Sequence, residues 1–303
     1  MNLQERDKKH LWHPLKQHQL QPESLAIVKA KGCVLTDENG NEYIDAIASW
    51  YTCMYGHCND YITSQVYKQM QQLDQVMFSD FTHEPAVKLS EELIKILPEN
   101  QNKIYFNDNG STAVEAGIKM ALQYYHNKDD KRSTFIAFEN GFHGDTFGAM
   151  SVSGLSVYNG PFEDFLIDVK RIPTPNGSNT EKILKQLKDF ISNHNVAGFI
   201  YEPLMQGAAG MKTHDANGLN DILKYLKKHN ILAIADEVMT GFGKTGKYFA
   251  SDYVETKPDI ICLSKALTAG LIPMAITSCT QNIYDAFLSN DMAKGCFHCH
   301  TYS

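Results

Sequence analysis

Lys265 closes the stretch Asp259-Ile-Ile-Cys-Leu-Ser-Lys-Ala-Leu-Thr-Ala-Gly270, where a run of apolar, partly β-branched residues meets a Gly-bounded loop. That pattern predicts a lone amine at the C-terminal tip of a buried strand, the edge at which α/β sheets gather their chemistry. Apolar surroundings disfavour a charged amine, lower its pKa and leave it a nucleophile. A solvated loop lysine is the plainer alternative, and a second strand tip weighs against it. In Ile231-Leu-Ala-Ile-Ala-Asp-Glu-Val-Met-Thr-Gly-Phe-Gly-Lys-Thr-Gly246, five apolar residues run into Asp236 and Glu237 and then into a Gly-rich turn. A carboxylate at that point can serve as a metal ligand, a ribose binder or the partner of a buried cation.

A third segment has the makings of an anion site. Ile104 to Phe106 reads as a short strand and Asn107 to Gly110 as a turn, and Thr112 and Glu115 have capping-box spacing at the start of a helix. Gly110 lets backbone approach an anion closely, while Ser111 and Thr112 add hydroxyls at the positive end of the helix. Taken alone, the segment is an ordinary capped helix. Together the three segments match what a protein must supply to pyridoxal 5'-phosphate (PLP): a Schiff-base lysine, an Asp on the pyridinium nitrogen and a phosphate cradle.

Asn-Gly-Ser-Thr (109–112), Gly-Phe-His-Gly-Asp-Thr (141–146), Glu-Pro-Leu-Met-Gln-Gly (202–207), the run 236–246 and Ser-Lys-Ala-Leu-Thr-Ala-Gly (264–270) resemble, in order and spacing, the blocks of class III, fold-type I, PLP-dependent aminotransferases. The resemblance covers nearly the whole chain. His10-Leu-Trp-His-Pro14, Ala48-Ser-Trp-Tyr51 and Gly144-Asp-Thr-Phe-Gly-Ala-Met-Ser-Val152 are more particular to the biotin-pathway branch of that class than to ornithine or 4-aminobutyrate aminotransferases.

The resemblance implies that Lys265 is the catalytic lysine and that Gly110, Ser111, Thr112, Phe142, His143, Asp236 and Lys265 bind PLP. Phe142 would stack on the pyridine ring, where the family often has Tyr; a core Phe is the plainer reading. Trp50, Tyr51, Phe142, Asp145 and Cys299 are implied to line the substrate pocket, Asp145 reading equally as a solvated turn residue. Glu202 and Gln206 are implied to hold the cofactor's hydroxyl face or to order Asp236. In the loop 297–302, where Cys299 replaces a Gly, His300 and Thr301 are implied to reach the phosphate of the neighbouring subunit of a homodimer.

The implied reaction aminates 8-amino-7-oxononanoate to 7,8-diaminononanoate. Lys265 carries the proton between the substrate carbon and the cofactor's C4′ carbon, and Asp236 keeps the ring nitrogen protonated. Leu15 stands where users of S-adenosylmethionine have Tyr, so the amino donor is S-adenosylmethionine or lysine. One alternative is another class III enzyme, an ω-amino-acid, ornithine or 4-aminobutyrate aminotransferase or glutamate-semialdehyde aminomutase. Another is an inactive remnant. Family members continue past residue 303 through a C-terminal small domain with a carboxylate-binding Arg. On that comparison residues 1–303 alone are expected to retain PLP weakly, dissolve poorly and not transaminate.

Composition fits a cytoplasmic enzyme of small molecules. The 303 residues are 43% hydrophobic, enough for one large core or a large domain with satellites. A formal net charge of −7 with no Lys/Arg cluster argues against nucleic acid. No apolar run approaches membrane-span length, so no membrane is expected, and the polar start Met-Asn-Leu-Gln-Glu-Arg-Asp-Lys-Lys is no secretory signal. Seven cysteines read as reduced thiols. Cys296-Phe-His-Cys-His300 has haem-attachment spacing and Cys53 to Cys58 with His57 suggests a metal. Haem attachment needs export, however, and zinc needs distant ligands to converge. Both groups are read as incidental, and no metal is expected.

These residues need an α/β scaffold. A hairpin is predicted over Gly32 to Ala46, turning at Asp37-Glu-Asn-Gly40. Helical patterns cover about 60–75, 84–96, 112–126, 180–194 and 217–229, and apolar strand-like runs cover 134–138, 197–201, 231–235 and 259–263. Their alternation predicts a mainly parallel sheet with helices on both faces. Residues 1–55 are expected to belong to a second, smaller α+β domain and 56–303 to the large PLP-binding domain.

Overall fold

The computed structural model describes residues 1–154 and 159–301. They divide into two compact units, Met1–Asp74 and Gln75–Ser303. The dividing point lies past the expected residue 55 because the helix over residues 60–72 clusters with the first unit.

The first unit opens with α1 (Leu3–His10), capped reciprocally by Asn2 and Glu5. Three antiparallel strands follow, β1 (Ile27–Lys31), β2 (Val34–Asp37) and β3 (Glu42–Ile44). The predicted hairpin is β2–β3. Its turn is held by Asp37 Oδ1, which accepts from the N–H groups of Asn39 at 2.9 Å and Asn41 at 2.8 Å, with Gly40 at φ +82°. Residues Ala48–Tyr51 form a single left-handed turn, α2, with φ between 46° and 68° at all four positions. The helix α3 (Asp60–Gln72) starts on the Asn59 side chain, which accepts from the N–H groups of Tyr61 and Ile62.

The second unit is the α/β body. In chain order it contains α4 (Glu84–Ile96), β4 (Gln101–Asn107), α5 (Gly110–Asn127), β5 (Thr134–Phe138), α6 (Phe147–Val152), β6 (Val169–Ile172), α7 (Thr180–Asn193) and β7 (Val196–Tyr201). A two-stranded hairpin of β8 (Met205–Gln206) and β9 (Lys212–Thr213) comes next. Then come α8 (Ala216–Lys228), β10 (Leu232–Asp236), β11 (Ile260–Leu263), β12 (Ala275–Thr280) and α9 (Gln281–Asp285). Seven strands form one sheet in the order β4-β12-β11-β10-β7-β5-β6. Neighbours from β11 to β6 pair in parallel, and β12 is antiparallel to both β11 and β4. β4 therefore points the same way as the parallel strands, and β12 is the single reversed strand.

Every residue of β5, β7, β10 and β11 is buried, as expected for strands covered on both faces. On one face Leu93, Ile183, Leu187, Leu219 and Leu226 of α4, α7 and α8 pack on Ile136, Phe138, Phe199 and Ile261. On the other, Val114, Ile118 and Ala121 of α5, Val152 of α6 and Ile283 of α9 pack on Phe135, Ala137, Ile234 and Cys262. The fold is the expected α/β sheet with helices on both faces. Its parallel strands deliver five loops to one edge, carrying Gly110, His143, Glu202, Asp236 and Lys265, where open α/β sheets bind ligands.

Candidate functional site

Asp236 ends β10 and is buried, with its carboxylate held from two sides. Oδ1 accepts from the N–H of Val238 at 3.0 Å, and Oδ2 meets His143 Nδ1 at 2.7 Å. A carboxylate has no proton to give, so the imidazole proton sits on Nδ1. His143 Nε2 is itself buried and has no protein partner. The ring is placed by Ser153, whose Oγ accepts from the His143 N–H at 2.9 Å and donates to the Ala149 carbonyl at 2.9 Å. Ser153 was not anticipated from sequence, because it lies just past a short helix and outside every recognisable block.

Glu237, the neighbouring acid, faces away and is fully buried. It accepts from the Thr240 hydroxyl at 2.5 Å and from the N–H groups of Ala250 and Ser251 at 3.0 Å and 2.7 Å. It holds the loop after β10, so the two acids that sequence placed side by side have separate jobs.

Lys265 follows β11 in a left-handed conformation, φ +48°, a strained setting for a residue with a side chain. Burial lowers its pKa, while the negative charges of Asp236 and Glu202 pull it back up. The amine is therefore poorly solvated and lies within electrostatic reach of both carboxylates. Burial raises the Glu202 pKa; Asp236 adds to that rise and His143 opposes it. Glu202 accepts from the N–H groups of Phe142 at 3.1 Å and Gly207 at 3.0 Å, tying the loops after β5 and β7 together. Gln206 donates to the Glu139 carbonyl at 2.7 Å. A further cation went unnoticed in the sequence. Lys244, in the exposed Gly-rich turn after β10, has its pKa lowered by partial desolvation first and by the charge of Lys265 second.

The anion cradle differs in detail from expectation. The capping box is Asn109-x-x-Thr112, one turn earlier than Thr112-x-x-Glu115. Asn109 Oδ1 accepts from the Thr112 N–H, and Thr112 Oγ1 accepts from the Asn109 N–H, each at 3.1 Å. The helix starts at Gly110, so the stronger capping residue Asn109 takes the N-cap, and the Thr112 hydroxyl also lies 2.6 Å from Asp108 Oδ1. Glu115 is thereby freed. Its Oε1 accepts from the N–H groups of Gly148 at 2.6 Å and Ala149 at 3.3 Å, pinning the start of α6 to α5. A Cβ on Gly110 would come within 2.8 Å of Val238 Cγ1, so the cradle packs directly on the loop after Asp236. Ser111 Oγ accepts from the Asp145 N–H at 3.3 Å, and Gly144, at φ +128°, leaves no room for a Cβ, which would sit 2.2 Å from that hydroxyl. The first N–H groups of α5, at Gly110 and Ser111, have no partner within the helix by construction.

Phe142 is 43% exposed, which excludes the core-Phe reading and leaves its ring accessible between His143 and the Glu202 tether. The Thr301 carbonyl oxygen accepts from Gln75 Nε2 at 3.1 Å, and Cys299 is an exposed free thiol. The segment before them lies along α5 and β4, through Lys119 Nζ to His298 Nδ1 at 3.1 Å and His298 stacked near Tyr105. His300 is half-buried. Tyr302, the last residue of that loop, lies outside the described residues. Trp50 and Tyr51 belong to the first unit, in its strained left-handed turn. Among the described residues no group of His, Cys, Asp or Glu is arranged to hold a metal, and no helix is long and apolar enough to cross a membrane.

The residues fit PLP. A poorly solvated amine lies within electrostatic reach of a buried carboxylate, and a helix N-terminus with a glycine that admits no Cβ packs on the loop after that carboxylate. The Aminotransferase class-III family model matches residues 16–303. An adenosylmethionine-8-amino-7-oxononanoate aminotransferase of Synechococcus elongatus is 43% identical over 97% of this chain and 71% of its own length. One of Staphylococcus aureus is 38% identical over 99% and 71%. The crystal structure of the enzyme of that name from Methanocaldococcus jannaschii matches with a TM-score of 0.93 at 33% identity, covering 99% of this chain and 70% of that one. An amine transaminase from an uncultivated Pseudomonas species, solved in its PLP-bound form, matches with a TM-score of 0.91 at 29% identity, over 97% and 70%. This chain therefore belongs to the class III aminotransferases.

Proposed function

We propose that the protein is a PLP-dependent enzyme of biotin biosynthesis that transfers an amino group to 8-amino-7-oxononanoate, giving 7,8-diaminononanoate. The observation that carries the chemistry is the half-buried amine of Lys265 at the strand edge that also presents the buried, fixed carboxylate of Asp236, with the charges of Asp236 and Glu202 both felt at the amine. The substrate follows from the relatives' names. Those names also support S-adenosylmethionine as donor, while Leu15 in place of Tyr keeps lysine as the second candidate. Exposed apolar side chains such as Phe147, Phe165 and Phe297 support a homodimer that buries them, and the cytoplasm is the expected location.

When bound, PLP supplies an electrophilic carbonyl and a conjugated ring that takes up an electron pair. The chain's own residues do the rest. Lys265, uncharged at lower pH than an exposed lysine, holds the cofactor and carries a proton to and from the substrate carbon. Asp236 holds the proton on the ring nitrogen, with His143 and the Val238 N–H fixing its carboxylate. Gly110, Ser111 and Thr112 receive the phosphate at the N-terminus of α5, and His300 and Thr301 complete the phosphate site across the dimer. Phe142 would cover the ring and Asp145 and Cys299 would bound the substrate, a role that the resemblance implies for Trp50 and Tyr51 as well. Lys244 offers a cation to the substrate carboxylate.

Two measurements test this reading. Purified protein of full family length, loaded with PLP, should form 7,8-diaminononanoate from 8-amino-7-oxononanoate with one of the two donors; activity confined to ornithine, 4-aminobutyrate or glutamate semialdehyde would reassign it within the class. Gly144→Ala forces a Cβ into Ser111 at a positive φ, at a cost of about 1–3 kcal/mol. It should weaken PLP retention in equilibrium titration, and unchanged PLP affinity would detach Ser111 from the phosphate site.

A further inference from the structure

We propose that Cys53 is a modification site, a thiol activated by His57 and oxidised by small hydroperoxides. Asp45 Oδ2 meets His57 Nε2 at 2.8 Å and also accepts from the Ser49 hydroxyl at 2.8 Å. The Asp45 side chain is 6% exposed, and the bond to His57 leads the interactions that hold its pKa down. A carboxylate supplies no proton, so His57 is protonated on Nε2 and presents the lone pair of Nδ1. That nitrogen faces Cys53 Sγ at 3.6 Å. The arrangement is a nucleophile, a base and a carboxylate that orients the base.

The backbone fixes all three. His57 exchanges two hydrogen bonds with Gly32, at 2.8 Å and 3.1 Å, and the Cys53 N–H reaches the Ala48 carbonyl at 3.0 Å. Gly56, at φ +77°, admits no Cβ, which would lie 2.9 Å from Gly32 Cα. Cys33 and Cys58, in the same unit, are more exposed than Cys53. Access alone would make them the faster thiols; the imidazole reverses the order.

Nδ1 takes the thiol proton, and the thiolate sulfur attacks one peroxide oxygen. The S–O bond forms as the O–O bond breaks, and the leaving hydroxide takes the proton back from the imidazolium and departs as water. Cys53 becomes a sulfenic acid and the peroxide is reduced by two electrons. The added oxygen displaces Sγ from His57, two residues beyond the strained turn that carries Trp50 and Tyr51. Oxidation should therefore slow turnover, a consequence that rests on the substrate-pocket role proposed for those aromatics.

The test treats the holoenzyme with limiting hydrogen peroxide and dimedone and maps all seven cysteines by mass spectrometry. Cys53 should be labelled about tenfold faster than Cys33 and Cys58, and the three rates should converge in denaturant. In folded His57→Gln the Cys53 rate should fall to that of Cys58. Equal rates in the folded wild-type protein, or an unchanged Cys53 rate in folded His57→Gln, would overturn the assignment. Turnover should fall with Cys53 labelling, recover with a thiol reductant and resist peroxide in Cys53→Ser. Peroxide inactivation that persists in Cys53→Ser would overturn the link to turnover, and the labelling result is read without any assay of activity.

Discussion

Lys265→Ala should abolish transamination while leaving the fold, and PLP bound without a covalent link, in place. The side chain leaves a 3₁₀ turn after β11, and its amine is not part of the sheet's packing. The cradle at Gly110, Ser111 and Thr112 is anchored separately, by the Asn109 cap and the contact with Val238. Losing the proton carrier alone costs about 10²–10⁴-fold, and losing the nucleophile multiplies that, so kcat should fall below detection. Thermal unfolding and PLP titration should stay near wild type. Turnover within tenfold of wild type would place the chemistry on another lysine.

Asp236→Asn should give the second largest loss. The substitution keeps the shape but removes the charge proposed to hold a proton on the ring nitrogen. Its amide must also face either the Val238 N–H or the His143 Nδ1–H, setting donor against donor in a buried place. The loss should fall on the chemical step, several kcal/mol in all and roughly 10²–10³ or more in kcat, with a smaller change in substrate KM. Near-normal turnover would contradict the role assigned to this carboxylate. Stopped-flow absorbance of the first half-reaction separates the chemical step from product release.

Much of this was legible in the chain because the strands under the site are buried on both faces and so read as unbroken apolar runs. β5, β7, β10 and β11 each fall within a residue of expectation, as does α4. β12 escaped notice because Ala275-Ile-Thr-Ser-Cys-Thr280 mixes polar with apolar residues. Thr277 and Ser278 are fully buried yet satisfied, by the Ala113 carbonyl and Gln101 Oε1. That pairing across distant segments has no local signature. β6, half-buried at the sheet edge, and the exposed β1 also lack an apolar run.

At the site the residues proposed to bear the chemistry were visible in sequence and their supports were not. Sequence marks Lys265 and Asp236 because each terminates an apolar strand. It cannot show that Ser153 sets His143, that Glu115 ties α6 to α5, or that Glu202 bridges two loops, since each is a contact between separate segments that no local pattern announces. The cap one turn early has a local cause: Asn109 and Thr112 both favour caps, and spacing alone chose the wrong one. The cysteine pair read as incidental contains Cys53, whose partner His57 is oriented by Asp45 from another segment.

The central claim is that Lys265 is the residue that holds PLP. Borohydride reduction of the PLP-loaded protein, followed by peptide mapping, should find the reduced cofactor on the peptide containing Lys265 and on no other. Label on Lys244 or any other lysine, or a protein that binds PLP yet yields no labelled lysine after reduction, would contradict it.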